Sequence, residues 1–223
     1  MKKRIVSVLA VCAMAMGMLC GCMSVAPEPE KPESVTPDTP VTGTWVSPAG
    51  SPLDFNEDGT YVDHTKNNRT GTFAYVAESA DFSLAQLFDN VEYVTCTADN
   101  GDEAITAAVL QDVMIAYSAK DHAELYYVRD GRDAVDAESI QGEWIDVYDK
   151  DSTMSFSADG KLHAFDETSD YTIEQGDCGT CVTVKSGDSE TTYAIASYED
   201  YLFMICCDSQ KLYLLARESA ADQ

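Results

Sequence analysis

The chain has 223 residues, of which 45% are apolar, enough for one large core or two small ones. Its 14 Lys and Arg stand against 39 Asp and Glu, a net charge of −25. A surface of that sign repels nucleic acid and anionic lipid headgroups and draws cations and basic proteins, so nucleic acid is excluded as a partner.

Residues 1–22 open with Met1-Lys2-Lys3-Arg4, run through an apolar stretch and end in Leu19-Cys20-Gly21-Cys22. A charged start, a short apolar run and small residues before a cleavage point make a secretory signal, too short for a spanning helix. Leu19 three residues before Cys22 and Gly21 just before it resemble the lipobox of bacterial lipoproteins. Cys20 fits that pattern worse, since Leu19 then occupies the small-residue position. The resemblance implies a signal peptide over 1–21, a diacylglyceryl and palmitate-type acyl group on Cys22, and a lipid-anchored, extracytoplasmic place at the cell membrane or outer surface. No other cofactor is expected. Loss of Lys2, Lys3 and Arg4 with the signal leaves 11 basic against 39 acidic residues, a net −28. Residues 22–41, lipidated Cys22 included, hold five of the seven prolines and show no apolar periodicity, which makes them a flexible tether to the bilayer.

From residue 42 the pattern changes to short alternating runs split by turn residues, the punctuation of an all-β chain. Strands are predicted at 43–47, 52–55, 60–64, 71–76, 91–98, 103–110, 113–117 and 124–129. Asp58-Gly59 and Asn100-Gly101 are hairpin turns, because both residue types tolerate positive φ. The spacing over 83–88 predicts one short helix.

An acidic connector follows, and strands recur at 142–147, 153–156, 161–165, 171–175, 180–185, 191–196, 201–206 and 211–217. The two halves share a template. Gly43-Thr44-Trp45 followed by Phe55-Asn56-Glu57-Asp58-Gly59 returns as Gly142-Glu143-Trp144 followed by Phe156-Ser157-Ala158-Asp159-Gly160. With no helix long enough for a parallel crossover, neighbours pair as hairpins, and a meander of eight strands removes its edges by closing. Two tandem antiparallel barrels are expected, at 42–131 and 139–217, with a tail at 218–223.

Gly43-x-Trp45 and Gly142-x-Trp144 on the first strands, with Arg129 and Arg217 ending the last, resemble the lipocalin signature. The resemblance implies that each tryptophan plugs a barrel floor and each arginine lies across it, with cation–π attraction between them. Leu125-Tyr126 starts four residues before Arg129, whereas Leu212-Tyr213 starts five before Arg217. A one-residue slip reverses a strand face, so in one repeat the arginine lid or the Leu-Tyr alignment fails. Strands this short leave an interior that side chains nearly fill.

Beyond the signal and the lipidated Cys22 five cysteines remain: Cys96, Cys178, Cys181, Cys206 and Cys207. Cys178-x-x-Cys181 is followed by Val182-Thr183-Val184, a strand, and so lacks the helix N-terminus that activates thioredoxin-type thiols. Three readings stand: a cross-strand disulfide between the Cys178/Cys181 and Cys206/Cys207 pairs, soft-metal binding by the four thiols, or buried free thiols. His64, His122 and His163 show no ligand spacing and read as exposed turn residues. Neither Asp146, Asp149 and Asp151 nor Asp99, Asn100, Asp102 and Glu103 completes a calcium loop, and no confident metal site results. The expected protein is a monomeric, non-enzymatic binding module for a small apolar ligand or a cationic protein or peptide. The alternative is a thiol-based redox or metal-responsive sensor.

Overall fold

Alternation of buried and exposed residues dictates the strands, and continuous apolar runs mark where a strand is covered on both faces. The structure, a computed structural model, describes residues 41–76, 87–88, 90–101, 103–118, 120–164 and 166–221, with backbone only at 66, 103, 104 and 221. The first barrel holds β1 (Gly43–Val46), β2 (Pro52–Phe55), β3 (Thr60–Asp63), β4 (Arg69–Val76), β5 (Glu92–Ala98), β6 (Glu103–Leu110), β7 (Val113–Ser118) and β8 (Ala123–Arg129). The second holds β9 (Gly142–Asp146), β10 (Thr153–Phe156), β11 (Lys161–Ala164), β12 (Glu167–Gly176), β13 (Gly179–Ser186), β14 (Ser189–Tyr198), β15 (Tyr201–Cys206) and β16 (Leu212–Ala216). Each set is an antiparallel meander closed by its first and last strands, β1 on β8 through Trp45↔Arg129 and β9 on β16 through Ile145↔Ala216. The two repeats are therefore separate barrels.

Several boundaries differ from the sequence reading. The strand expected at 60–64 stops at Asp63, whose side chain caps a short 3-10 helix, His64–Lys66. β12 and β14 run to ten residues: β12 begins at Glu167, directly after the positive-φ Asp166, and β14 spans Ser189–Tyr198 between positive-φ Gly187 and Glu199. The connector ends in α1 (Ala137–Ile140), capped by Asp136, and the tail begins with α2 (Glu218–Ala221). Val41, placed in the tether by composition, is fully buried, and its carbonyl accepts the Trp45 indole N–H. The predicted helix over 83–88 lies outside the described residues except for Leu87 and Phe88, and Phe165 also lies outside them.

The turns of the two repeats superpose bond for bond. Asn56 N–H donates to Thr60 O and Gly59 N–H to Asn56 O, while Ser157 and Gly160 do the same with Lys161 and Ser157. The aromatic pair above each turn is also kept, Phe55 against Phe73 at 5.0 Å and Phe156 against Tyr171 at 5.2 Å, both edge-on.

β7 and β15 explain the longest apolar runs. In β7, Met114 and Ala116 point into the first barrel, and Val113 and Ile115 into a seam between the barrels. In β15, Leu202 and Met204 point inward, and Phe203 and Ile205 into the same seam. Phe88 seals it edge-on against Tyr201 at 4.6 Å.

Candidate functional site: the mouth of the second barrel

Both floors are built alike. The Trp45 and Trp144 indole N–H groups donate to the Val41 and Ile140 carbonyls at 2.8 and 2.7 Å. The Arg129 guanidinium sits 4.3 Å from the Trp45 ring and Arg217 3.8 Å from Trp144. Each arginine also donates to carbonyls that open its barrel, Arg129 to Thr42 O and Arg217 to Gln141 O and Ser139 O. Gly43 and Gly142 have φ of +119° and +105°, and a Cβ at Gly142 would stand 2.7 Å from Arg217 Nη1. That close approach is why glycine precedes the tryptophan by two.

The slip lies in the Leu-Tyr alignment. Counting back from the arginines, Leu125 matches Tyr213 and both face a barrel interior, while Tyr126 matches Leu214 and both face the seam.

Above its floor the described residues of the first barrel place bulky and charged side chains in the interior. Tyr61 and Tyr127 are fully buried inside it, and Asp63, also buried, accepts from Thr65 N–H at 3.0 Å and pairs with Arg69 at 3.7 Å. Burial pushes the Tyr61 phenol and the Cys96 thiol each up to about 12.

At the same register positions the second barrel is emptier. Phe55↔Tyr61 and Leu53↔Asp63 correspond to Phe156↔Leu162 and Met154↔Ala164, and Asp63↔Arg69 corresponds to Ala164↔Glu167. Leucine, alanine and glutamate replace tyrosine, aspartate and arginine. A cavity of about 130 Å³ results, walled by Met154, Leu162, Val184, Met204, Tyr193 and Tyr213. Ala164, Glu167 and Ser169 complete its lining. The Tyr193 and Tyr213 rings meet nearly edge-on at 6.1 Å, and burial raises the Tyr193 phenol. The Lys211 ammonium lies 4.3 Å from the Tyr213 ring centroid. β16 runs from this end to Arg217, so the opening lies opposite the Trp144 floor. An apolar cavity of about 150 Å³ accommodates a benzene-sized molecule, whereas drug-sized ligands need roughly 300 Å³ or more.

The described thiols are all free, and they do not gather as one set of four. Cys178 and Cys181 stand on the seam with their sulfurs 3.3 Å apart, and Cys207 packs on the same face. Cys206 lies on the opposite face, opposite Tyr193 in the β14–β15 register. Strand alternation thus leaves Cys207, and not Cys206, on the face of the Cys178/Cys181 pair. A hydrogen bond from Cys178 lowers the Cys181 thiol, and the same bond raises Cys178. Arg132, in the connector, donates to Arg129 O, Cys178 O and Ile195 O, and a Cβ on Gly179 would stand 2.5 Å from its Nη1. Sequence reasoning missed this arginine.

The histidines stay apart. His64 bonds Asp54 at 2.9 Å, which raises it, while His163 lies on β11 rather than in a turn, bonded to Thr168. Asp146 accepts from Tyr148 and Asp149 N–H, so its carboxylate is used by its own loop. Among the described residues no three His, Cys, Asp or Glu side chains are arranged to hold a metal ion.

No protein-family model matches the chain, and comparison with curated proteins and with solved structures gives no match.

Proposed function

We propose that this chain is a lipid-anchored extracytoplasmic binding protein, held at the bacterial cell membrane or outer surface through acyl groups on Cys22. It acts without catalysis and takes a small apolar ligand in the second barrel. The observation that carries this reading is the cavity of about 130 Å³ above the Trp144 floor, at positions where the first barrel is filled by Tyr61, Asp63 and Arg69. One barrel serves as a rigid support and the other as the receptacle. Titration with 1-hexanol, followed through the ring resonances of Tyr193 and Tyr213, tests it. Saturable shifts at those rings, insensitive to salt, are expected, since apolar burial is little screened. Shifts confined to outer-face residues would contradict the reading. For the anchor, Cys22→Ser is expected to release the protein into the soluble fraction, and continued membrane retention would overturn it.

A second reading, a thiol-based sensor, draws on the 3.3 Å separation of Cys178 and Cys181 at the seam beside Arg132. Replacing both by serine is expected to abolish exchange with a reporter disulfide if that reading holds. Exchange unchanged in the double variant removes it.

A further inference from the structure

We propose that the second barrel's ligand is a small organic cation, a protonated amine on an apolar body of about six carbons. The body would lie among Met154, Leu162 and Met204, with the ammonium between the Glu167 carboxylate and the Tyr213 ring. The inference rests on the reading that this cavity is a ligand site, and it names what that site selects.

Three observations converge on a cation. The first is a reversal of charge between the barrels. In the first barrel the mouth is filled from within by a cation, Arg69, set against the buried Asp63 carboxylate at 3.7 Å. The register puts Glu167 at the Arg69 position and Ala164 at the Asp63 position. The second barrel therefore lacks the built-in arginine and carries a carboxylate at its rim, where an incoming cation finds its counter-charge.

The second observation is Lys211. Its ammonium rests 4.3 Å from the Tyr213 ring, one of the cavity walls. A tyrosine ring attracts an ammonium over its face, most strongly where water is partly excluded. The chain's own lysine thus occupies the place a ligand ammonium would take, and as an exposed side chain it can swing away. The third is the field of the whole molecule, a net −25, which raises the local concentration of cations at any opening. An apolar wall of thioether, leucine and valine then sorts among cations, because a fully hydrated metal ion gains nothing there and an alkyl or aryl amine does.

Calorimetric titration of the full chain with three probes of equal length, hexylammonium, 1-hexanol and hexanoate, tests the inference at pH 7. Hexylammonium is expected to bind about tenfold more tightly than 1-hexanol, and hexanoate most weakly. Glu167→Gln brings hexylammonium down to the level of 1-hexanol and leaves 1-hexanol unchanged. Lys211→Met, which removes the tethered competitor, raises hexylammonium affinity about threefold. Equal affinity for hexylammonium and 1-hexanol overturns the cation inference and leaves the apolar cavity standing. Tightest binding of hexanoate overturns it in favour of Lys211 as an anchor for anions. An unchanged hexylammonium affinity in Glu167→Gln, or a weaker one in Lys211→Met, also counts against it. Failure of all three probes to bind removes the ligand-site reading itself.

Discussion

Ala164 occupies the register position that Asp63 occupies in the first barrel, each opposite the strand residue that also pairs with the floor tryptophan. That exchange, with Leu162 for Tyr61 and Glu167 for Arg69, puts bulky side chains at these positions in the first barrel and the walls of a cavity at the same positions in the second. The floors below are built from the same tryptophan, arginine and glycine.

Gly142→Ala is expected to destabilise the chain more than Gly43→Ala. Both positions need positive φ, which costs a non-glycine residue about 1–3 kcal/mol. At Gly142 the new methyl would also meet Arg217 Nη1 at 2.7 Å, against 3.5 Å from Arg129 at Gly43. The Arg217 guanidinium must then shift off Trp144, adding about 1 kcal/mol. Urea unfolding of the two variants measures the difference. Equal losses would show that backbone strain alone decides.

Alkaline stability follows from Cys96. Its thiol ordinarily titrates near 9.0 and is pushed up to about 12 by burial. Between those values the unfolded chain has released the proton and the folded chain has kept it, so stability falls as pH rises. The slope from this group is about 1.4 kcal/mol per pH unit, and its full contribution is present below about pH 8. Cys96→Ala is expected to flatten the decline between pH 9 and 11 in urea unfolding. A slope identical to that of the unsubstituted chain would mean that the thiol ionises in place.

Mild oxidation with a small disulfide reagent is expected to join Cys178 to Cys181, whose sulfurs are already 3.3 Å apart. The two thiols give up two protons and two electrons, and the reagent's disulfide is reduced to two thiols. Peptide mapping identifies the product. A crosslink from Cys206 to either partner would contradict its place on the opposite face of β15.

Much of the fold could be read from the sequence, because turn chemistry and alternation act locally. Asp58-Gly59 and Asp159-Gly160 fixed matching hairpins, and Gly-x-Trp marked both first strands. The mouth could be read only in part. Counting four residues past Gly59 and Gly160 reaches Asp63 and Ala164, so the size difference was present in the repeat. The Arg69 to Glu167 exchange was hidden, since the 3-10 turn His64–Lys66 lengthens only the first repeat and breaks the count. Arg132 left no periodic signal, because its partners are carbonyls brought to it by the packing of the barrels.

Stability and binding should move in opposite directions when the cavity is filled. Ala164→Leu places three more carbons in open space, and cavity filling commonly adds about 0.5–2 kcal/mol. Thermal unfolding is expected to show the gain. A loss of about 1–3 kcal/mol would mark overpacking, and hence no room at that position.

Calorimetric titration of 1-hexanol into the chain and into Ala164→Leu decides whether the second barrel is a receptacle. Saturable one-site binding to the unsubstituted chain and none to the variant is the predicted result. No binding to the unsubstituted chain, or binding undiminished in the variant, would contradict it.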